Sequence, residues 1–442
     1  MIRNIFGVCA LVVLKQQREL ITYRKHILSN GLTAIVHEDH STPLVTVNVL
    51  YNVGARDEES HRTGFAHLFE HLMFGGTRQV PEYDRVVDGL GGESNAFTNN
   101  DFTNYYLTVP AQFLDKALWL EADRMRLLDF SQQRLDVQRQ VVTEEYNQRY
   151  VNRPYGDVWM LLRPLCYKTH PYRWNTIGST IRHVQQASLE QVEQFFYRYY
   201  RPDNAILCVA GNVDTDEALS MIEDNFGDIG GPAIPSDGSK AFSRSYPQEH
   251  EQIEQRWQTV TRSVPNSKVY MAFHMCHRLH PDYCVYDLLS DVLSNGNSSR
   301  LYNHLVKEQG LFTEIDAYIS GETDPGLFVV SGSLPDGVST DAAEEAVWQE
   351  LRRLAEEPVS EHELAKVVNK SESSAVFGRY KVSDRAFSLC YYEWLGQIDW
   401  VNDEVCRYKA VRPDDLQRVA RDTFRVEKSS ILEYLAEEGA GE

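Results

Sequence analysis

Basic charge is short in this sequence. Against 64 Asp and Glu it sets 44 Lys and Arg, a formal net charge of −20. No basic stripe is available to neutralise phosphates, so nucleic acid is excluded as a partner. The acidity reads as a soluble surface with a mild bias towards cationic ligands. Cysteine is sparse as well: seven residues in 442, odd in number, none in a Cys-x-x-Cys pair. That excludes a disulfide framework and a cysteine-held metal, and it fits a reducing compartment. Long hydrophobic runs are missing too. Residues 5–14 give ten apolar positions behind Arg3 and then run straight into Lys15-Gln16-Gln17-Arg18-Glu19. Ten residues cannot cross a bilayer, and no small-x-small cleavage site follows them. The expectation is a cytoplasmic protein without stable membrane insertion; export is the alternative if residues 1–18 act as a signal peptide. The remaining composition, 42% hydrophobic and 24% charged, is that of a soluble globular chain long enough for roughly two to four domains.

What is present is concentrated in one stretch, His67-Leu68-Phe69-Glu70-His71. Around it Phe65, Leu68, Phe69, Leu72 and Met73 recur at three and four residues, the period of a helix with one apolar face. On such a helix His67 and His71 stand one turn apart and can aim ring nitrogens at one point. Glu70 lies beside that point, where it can take a proton from an attacking water. The order His-x-x-Glu-His is the inverse of the commoner zinc-hydrolase motif, and it requires a distant third ligand.

The chain before it predicts strands over residues 32–36 and 44–50, the second rich in β-branched residues. His37 and His40 fall at a strand end and a loop, with no metal role. After Gly75-Gly76 a helix is expected over residues 81–90. A hairpin follows, made by residues 96–98 and 103–109, and its strand beside the site could pair with an extended peptide. Helices are expected over residues 111–125 and 132–149. The second carries Glu144-Glu145 behind Val141-Val142. One of these carboxylates would complete a site of two histidines and one glutamate, leaving a fourth position for water.

These stretches resemble the pitrilysin/insulinase-type zinc peptidases, whose relatives include the mitochondrial processing peptidases. The resemblance rests on Gly54-Ala55-Arg56-Asp57-Glu58, on Gly64 through Thr77, and on Gly91-Gly92-Glu93-Ser94-Asn95-Ala96-Phe97-Thr98. Val141-Val142-Thr143-Glu144-Glu145 and Arg201-Pro202-Asp203-Asn204-Ala205-Ile206 extend it. It implies that His67 and His71 hold one zinc ion, that Glu145 rather than Glu144 is the third ligand, and that Glu70 is the general base. It implies further that Asn95, Ala96 and Phe97 form the edge on which peptide docks. One departure lies in the site: where the family carries a glutamate seven residues before the third ligand, this chain has Gln138.

In the second half, residues 227–243 are the expected linker, rich in Gly and Pro. Beyond them the chain repeats itself weakly, about 220 residues on. Leu189 and Val192 before Ile206 answer to Leu416 and Val419 before Ile431, and His71 to Gly76 answers to Asp291 to Gly296. The second copy has no His-x-x-Glu-His. His274, Cys276, His277 and His280 read as strand end and loop. The family's second half usually supplies an Arg and, seven residues later, a Tyr to the substrate carbonyl. Alignment places Val306 and Thr313 there, and neither can stabilise an oxyanion. Arg300, Tyr302, Arg379 and Tyr380 are the substitutes within the chain.

The resulting expectation is an α+β protein of two homologous domains, residues 20–230 and 240–440. Each is an antiparallel sheet with helices packed on it, and together they enclose a chamber. The expected activity is zinc-dependent endopeptidase action on short or unfolded peptides, completed by a homologous Arg/Tyr-bearing subunit in a heterodimer. The rival readings are a non-catalytic assembly or peptide-binding subunit of the same family, and a metal hydrolase on an unrelated fold.

Overall fold

A computed structural model describes residues 20–230, 244 and 246–437. The apolar stretch at residues 5–14 and most of the expected linker lie outside them. The first half runs β1 (Arg24–Ile27), β2 (Thr33–Glu38), β3 (Leu44–Tyr51), α1 (Phe65–Phe74), α2 (Tyr83–Gly89), β4 (Glu93–Thr98), β5 (Thr103–Pro110), α3 (Leu114–Arg126), α4 (Gln132–Tyr146), α5 (Val158–Cys166), α6 (Ile181–Gln185), α7 (Leu189–Tyr199), β6 (Ala205–Gly211) and α8 (Thr215–Phe226). The second runs β7 (Arg256–Arg262), β8 (Lys268–His274), α9 (Tyr283–Ser294), β9 (Glu314–Ile319), β10 (Leu327–Ser333), α10 (Thr340–Glu356), α11 (Glu361–Phe377), α12 (Val382–Trp394), α13 (Trp400–Ala410), α14 (Pro413–Thr423) and β11 (Ser429–Ala436).

The strands form two sheets, ordered β1-β2-β6-β3-β5-β4 and β7-β11-β8-β10-β9. Strand for strand, β7, β11, β8, β10 and β9 repeat β2, β6, β3, β5 and β4. The pairing directions repeat too: β2 with β6 and β7 with β11 are parallel, and the other neighbours are antiparallel. The protein is therefore α+β with two like halves. The α9 helix, which follows β8, stands where α1 follows β3. At the 220-residue offset of the sequence repeat, Asp287, Ser290 and Asp291 of α9 answer to His67, Glu70 and His71.

Alternation along the central strands decides what covers each sheet face. In β3, Val45, Val47, Val49 and Tyr51 turn towards the first half's own helices, joining Phe65, Leu68, Phe69 and Met73 of α1 in one core. Leu50 turns to the other face, where it meets Ala386, Leu389 and Cys390 of α12, a helix from the second half. The second sheet mirrors this. Val269, Met271 and Phe273 of β8 face α9, α10 and α14, while Tyr270 and Ala272 face Val158, Leu162 and Cys166 of α5. Each half thus lends a helix to the other's sheet. Both sheets are covered on both faces, which is why their central strands are near-continuously apolar. Among the described residues no helix is long and apolar enough to cross a membrane.

Candidate metal centre

The site is built on α1, and the start of that helix is fixed by two neighbours. Gly64 precedes it with φ of 90°, a left-handed conformation that glycine adopts without strain. A Cβ there would also fall 2.7 Å from the Ile177 carbonyl oxygen. The buried Glu58 side chain accepts from the Gly64 and Ala66 amides, both at 2.8 Å, and so satisfies two donors that a helix leaves unpaired at its first turn.

From this helix His67 and His71 project together, ring centroids 4.9 Å apart and nearly perpendicular. The α4 helix, started by the Ser131 hydroxyl accepting from the Arg134 amide, brings Glu145 to them. Its Oε2 lies 3.1 Å from His71 Nε2 and 3.6 Å from His67 Nε2. One ligand atom from each of the three falls within 4.8 Å of the others. Oxygen and nitrogen atoms on a tetrahedral zinc with bonds of about 2.0–2.2 Å stand roughly 3.4 Å apart, so the donor set fits that ion. Its protonation fits as well. Burial lowers the His67 pKa to about 4, leaving a neutral imidazole. Burial pulls Glu145 upward, but opposing contributions, the His71 hydrogen bond and the Arg149 guanidinium among them, hold the carboxyl below its ordinary value. Arg149 Nη1 is 2.8 Å from Glu145 Oε1.

Glu70, on the same turn of α1, is pushed up by burial, with the Thr98 hydrogen bond acting against that. The Thr98 hydroxyl donates to Glu70 Oε2 at 2.6 Å. Thr98 ends β4, and β4 is the free edge of the first sheet. The strand carrying Asn95, Ala96 and Phe97 therefore keeps one side of its backbone open, a few residues from the carboxylate. Phe97 remains 37% exposed and packs edge-on against Phe387 of α12.

The structure brings His67, His71, Glu145 and Glu70 together with the β4 edge. Glu144 points elsewhere and accepts from Gln148. Gln138 lies two helical turns before Glu145, with its amide nitrogen beside Gly75 at the end of α1. Sequence reasoning missed Thr98 and Glu58 as parts of the site. Both lie within the quoted stretches, but only tertiary contact gives them a role.

Residues 33–159 match the family model described as insulinase (peptidase family M16), and residues 186–371 match that of the peptidase M16 inactive domain. The chain belongs to the M16 peptidase family. It is 29% identical over 410 residues to a zinc protease PqqE of Helicobacter pylori, a match covering 92% of this chain and 91% of that protein. It is 25% identical to the uncharacterized zinc protease YmxG of Bacillus subtilis over 91% and 95% of the two chains. A crystal structure of a protease from Helicobacter pylori superposes with a TM-score of 0.87 at 27% identity, covering 94% of this chain and all of that one.

The structure also places the residues singled out in the second half. Val306 lies in a short π-helical stretch at Tyr302–Glu308, and the Thr313 hydroxyl donates to the Ser333 carbonyl. Of the substitutes, Arg300 is paired with Glu363 at 2.9 Å and Arg379 donates to the Val401 carbonyl. Tyr380 is 85% exposed.

Proposed function

We propose that this chain is the zinc-bearing subunit of an M16 endopeptidase that cleaves short or unfolded peptides. The observation that carries the reading is the convergence of His67, His71 and Glu145 beside a Glu70 held by Thr98 at an open strand edge. A zinc ion bound by the three ligands supplies Lewis acidity, easing deprotonation of an attacking water and polarising the scissile carbonyl. Glu70 receives the water's proton on its carboxylate and delivers it to the leaving amine nitrogen. Thr98 keeps that carboxylate turned towards the site. Asn95 and Phe97 turn their backbone groups to β5, and the outward-facing Ala96 between them, whose N–H now donates to Asn95 Oδ1, offers its main chain to that of an extended substrate, which selects unfolded peptide without demanding sequence. A chamber between the two halves excludes folded proteins.

Transition-state charge on the carbonyl oxygen needs donors that this chain does not supply at Val306 and Thr313. A homologous partner subunit provides an Arg and a Tyr, and the active species is the heterodimer. Cys166, Cys208, Cys276, Cys284 and Cys390 are in no disulfide, which supports a reducing compartment such as the cytoplasm.

The test is zinc content and peptide cleavage measured in parallel for wild type and Glu70→Gln, with and without an Arg/Tyr-bearing partner. Zinc in both proteins, with cleavage only by wild type plus partner, is the expected result; Glu70→Gln should lose about 100- to 10,000-fold. Turnover by the single chain removes the partner. Absence of zinc and of cleavage in every combination replaces the reading with that of a peptide-binding assembly subunit.

A further inference from the structure

The β4–β5 turn at residues 99–102 and the β9–β10 turn at residues 320–326 occupy equivalent places in the two sheets, and they meet tip to tip. The contact is polar and almost dry: Asn100 is 5% and Asp101 4% exposed, and the Glu322 side chain 12%. The Asn100 amide donates to Glu322 Oε1, which also accepts from Arg163 Nη2 at 3.2 Å. Asp101 Oδ2 accepts from the Thr323 amide at 2.9 Å, and Oδ1 accepts from the Tyr172 hydroxyl at 2.6 Å. Arg56 bridges the two sides, 2.9 Å from Asp101 and 3.2 Å from Asp324. The Arg278 amide pins the Glu322 carbonyl at 3.0 Å.

This clasp sits at the end of the strand that the proposed chemistry uses. Thr98, two residues before Asn100, is the hydroxyl that holds Glu70. Strand β4 is an edge with one hydrogen-bonded neighbour, so its terminus needs anchoring from outside the sheet. Within the first half the Ala55 and Arg56 amides bond the Asn99 and Asn100 carbonyls at 3.1 and 2.9 Å. From the second half the Thr323 amide holds Asp101, and Asn100 is held by Glu322, a buried carboxylate whose two cross-bonds cost too much to break singly.

Resting on the endopeptidase reading above, we propose that Glu322 is a positioning residue. Through Asn100 it fixes the end of β4 and with it Thr98, so that Glu70 is set for catalysis only while the two halves are clasped.

The experiment compares wild type, Glu322→Ala and Glu322→Gln as full-length zinc-loaded protein, by amide hydrogen exchange and by peptide cleavage with the partner. In Glu322→Ala, exchange over residues 93–104 should rise at least tenfold, with α1 and β6 unchanged and zinc content intact. The turnover number should fall at least tenfold, more than KM rises. Glu322→Gln, which keeps an oxygen for Asn100 and Arg163, should restore most of both. Unchanged exchange over residues 93–104 overturns the proposal. So does faster exchange spread over both halves, which marks a merely structural residue, and so does local loosening with unaltered turnover. If wild type itself fails to cleave, the endopeptidase reading falls, and the exchange pattern still decides whether Glu322 anchors β4.

Discussion

Two carboxylates of one small site meet opposite fates. Burial pushes Glu70 up, while the His71 hydrogen bond and nearby positive charge overcome burial at Glu145 and hold it down. One is thereby suited to carry a proton and the other to face a cation. The Thr98 hydroxyl is the largest of the influences that keep Glu70 from rising further, ahead of His71 and Arg149. A hydrogen bond to a charged group contributes about 1.5–3 kcal/mol, and one pKa unit is about 1.4 kcal/mol. Thr98→Val should therefore raise the pKa of Glu70. Because Glu70 accepts a proton only when ionised, cleavage at acid pH should fall further than cleavage at alkaline pH. The acid limb of the kcat/KM profile will show it; a limb that stays in place would disprove the role given to Thr98. Gly54 makes a second case. A Cβ there would lie 2.5 Å from the backbone of Asn100 and Asp101. Gly54→Ala should cost about 1–3 kcal/mol in denaturant unfolding through overpacking, and should displace the same turn.

At the scale of elements, the start of α1 hangs on one side chain. Both Glu58 oxygens accept amide hydrogens, so Glu58→Gln would turn an NH2 group towards one of those donors. The expected loss is about 1–2 kcal/mol of stability. Zinc affinity should weaken with it, since His67 sits in the first turn; competition with a chelator measures this. A variant with wild-type zinc affinity would show that the cap has no bearing on the site. This also explains what the sequence could disclose. His67, Glu70 and His71 lie on one helical turn, so their spacing alone puts them together. Glu145 comes from another helix, and residue chemistry left it level with Glu144 until the family resemblance separated them. Thr98, Glu58 and Glu322 acquire roles only through partners brought by folding, in the last case from 222 residues away. The weak repeat in sequence proved to be a full repeat of strand order, because topology needs only apolar alternation at matching places, which many residues satisfy.

Across the whole molecule, the exchange of α5 and α12 has an energetic consequence. Leu389 and Cys390 of α12, both fully buried, close the face of the first sheet formed by Ile35, Leu50, Ile206 and Cys208. Val158, Leu162 and Cys166 of α5 close the matching face of the second. Neither half can bury its own sheet without the other, and the clasp of buried polar groups adds a second joint that water would have to enter. Two domains of this size would ordinarily unfold in separate steps. Here the two sheets should melt together, in one calorimetric transition. Leu389→Ala deletes apolar volume at the joint and should cost about 2–5 kcal/mol. Although the residue belongs to the second half, that loss should lower the transition of both sheets together. Hydrogen exchange resolves the point: protection in β3 and β6 should fall along with protection in β8 and β11. Two separate transitions, with only the second half weakened, would mean that the exchanged helices are attached to the opposite sheets without being needed by them.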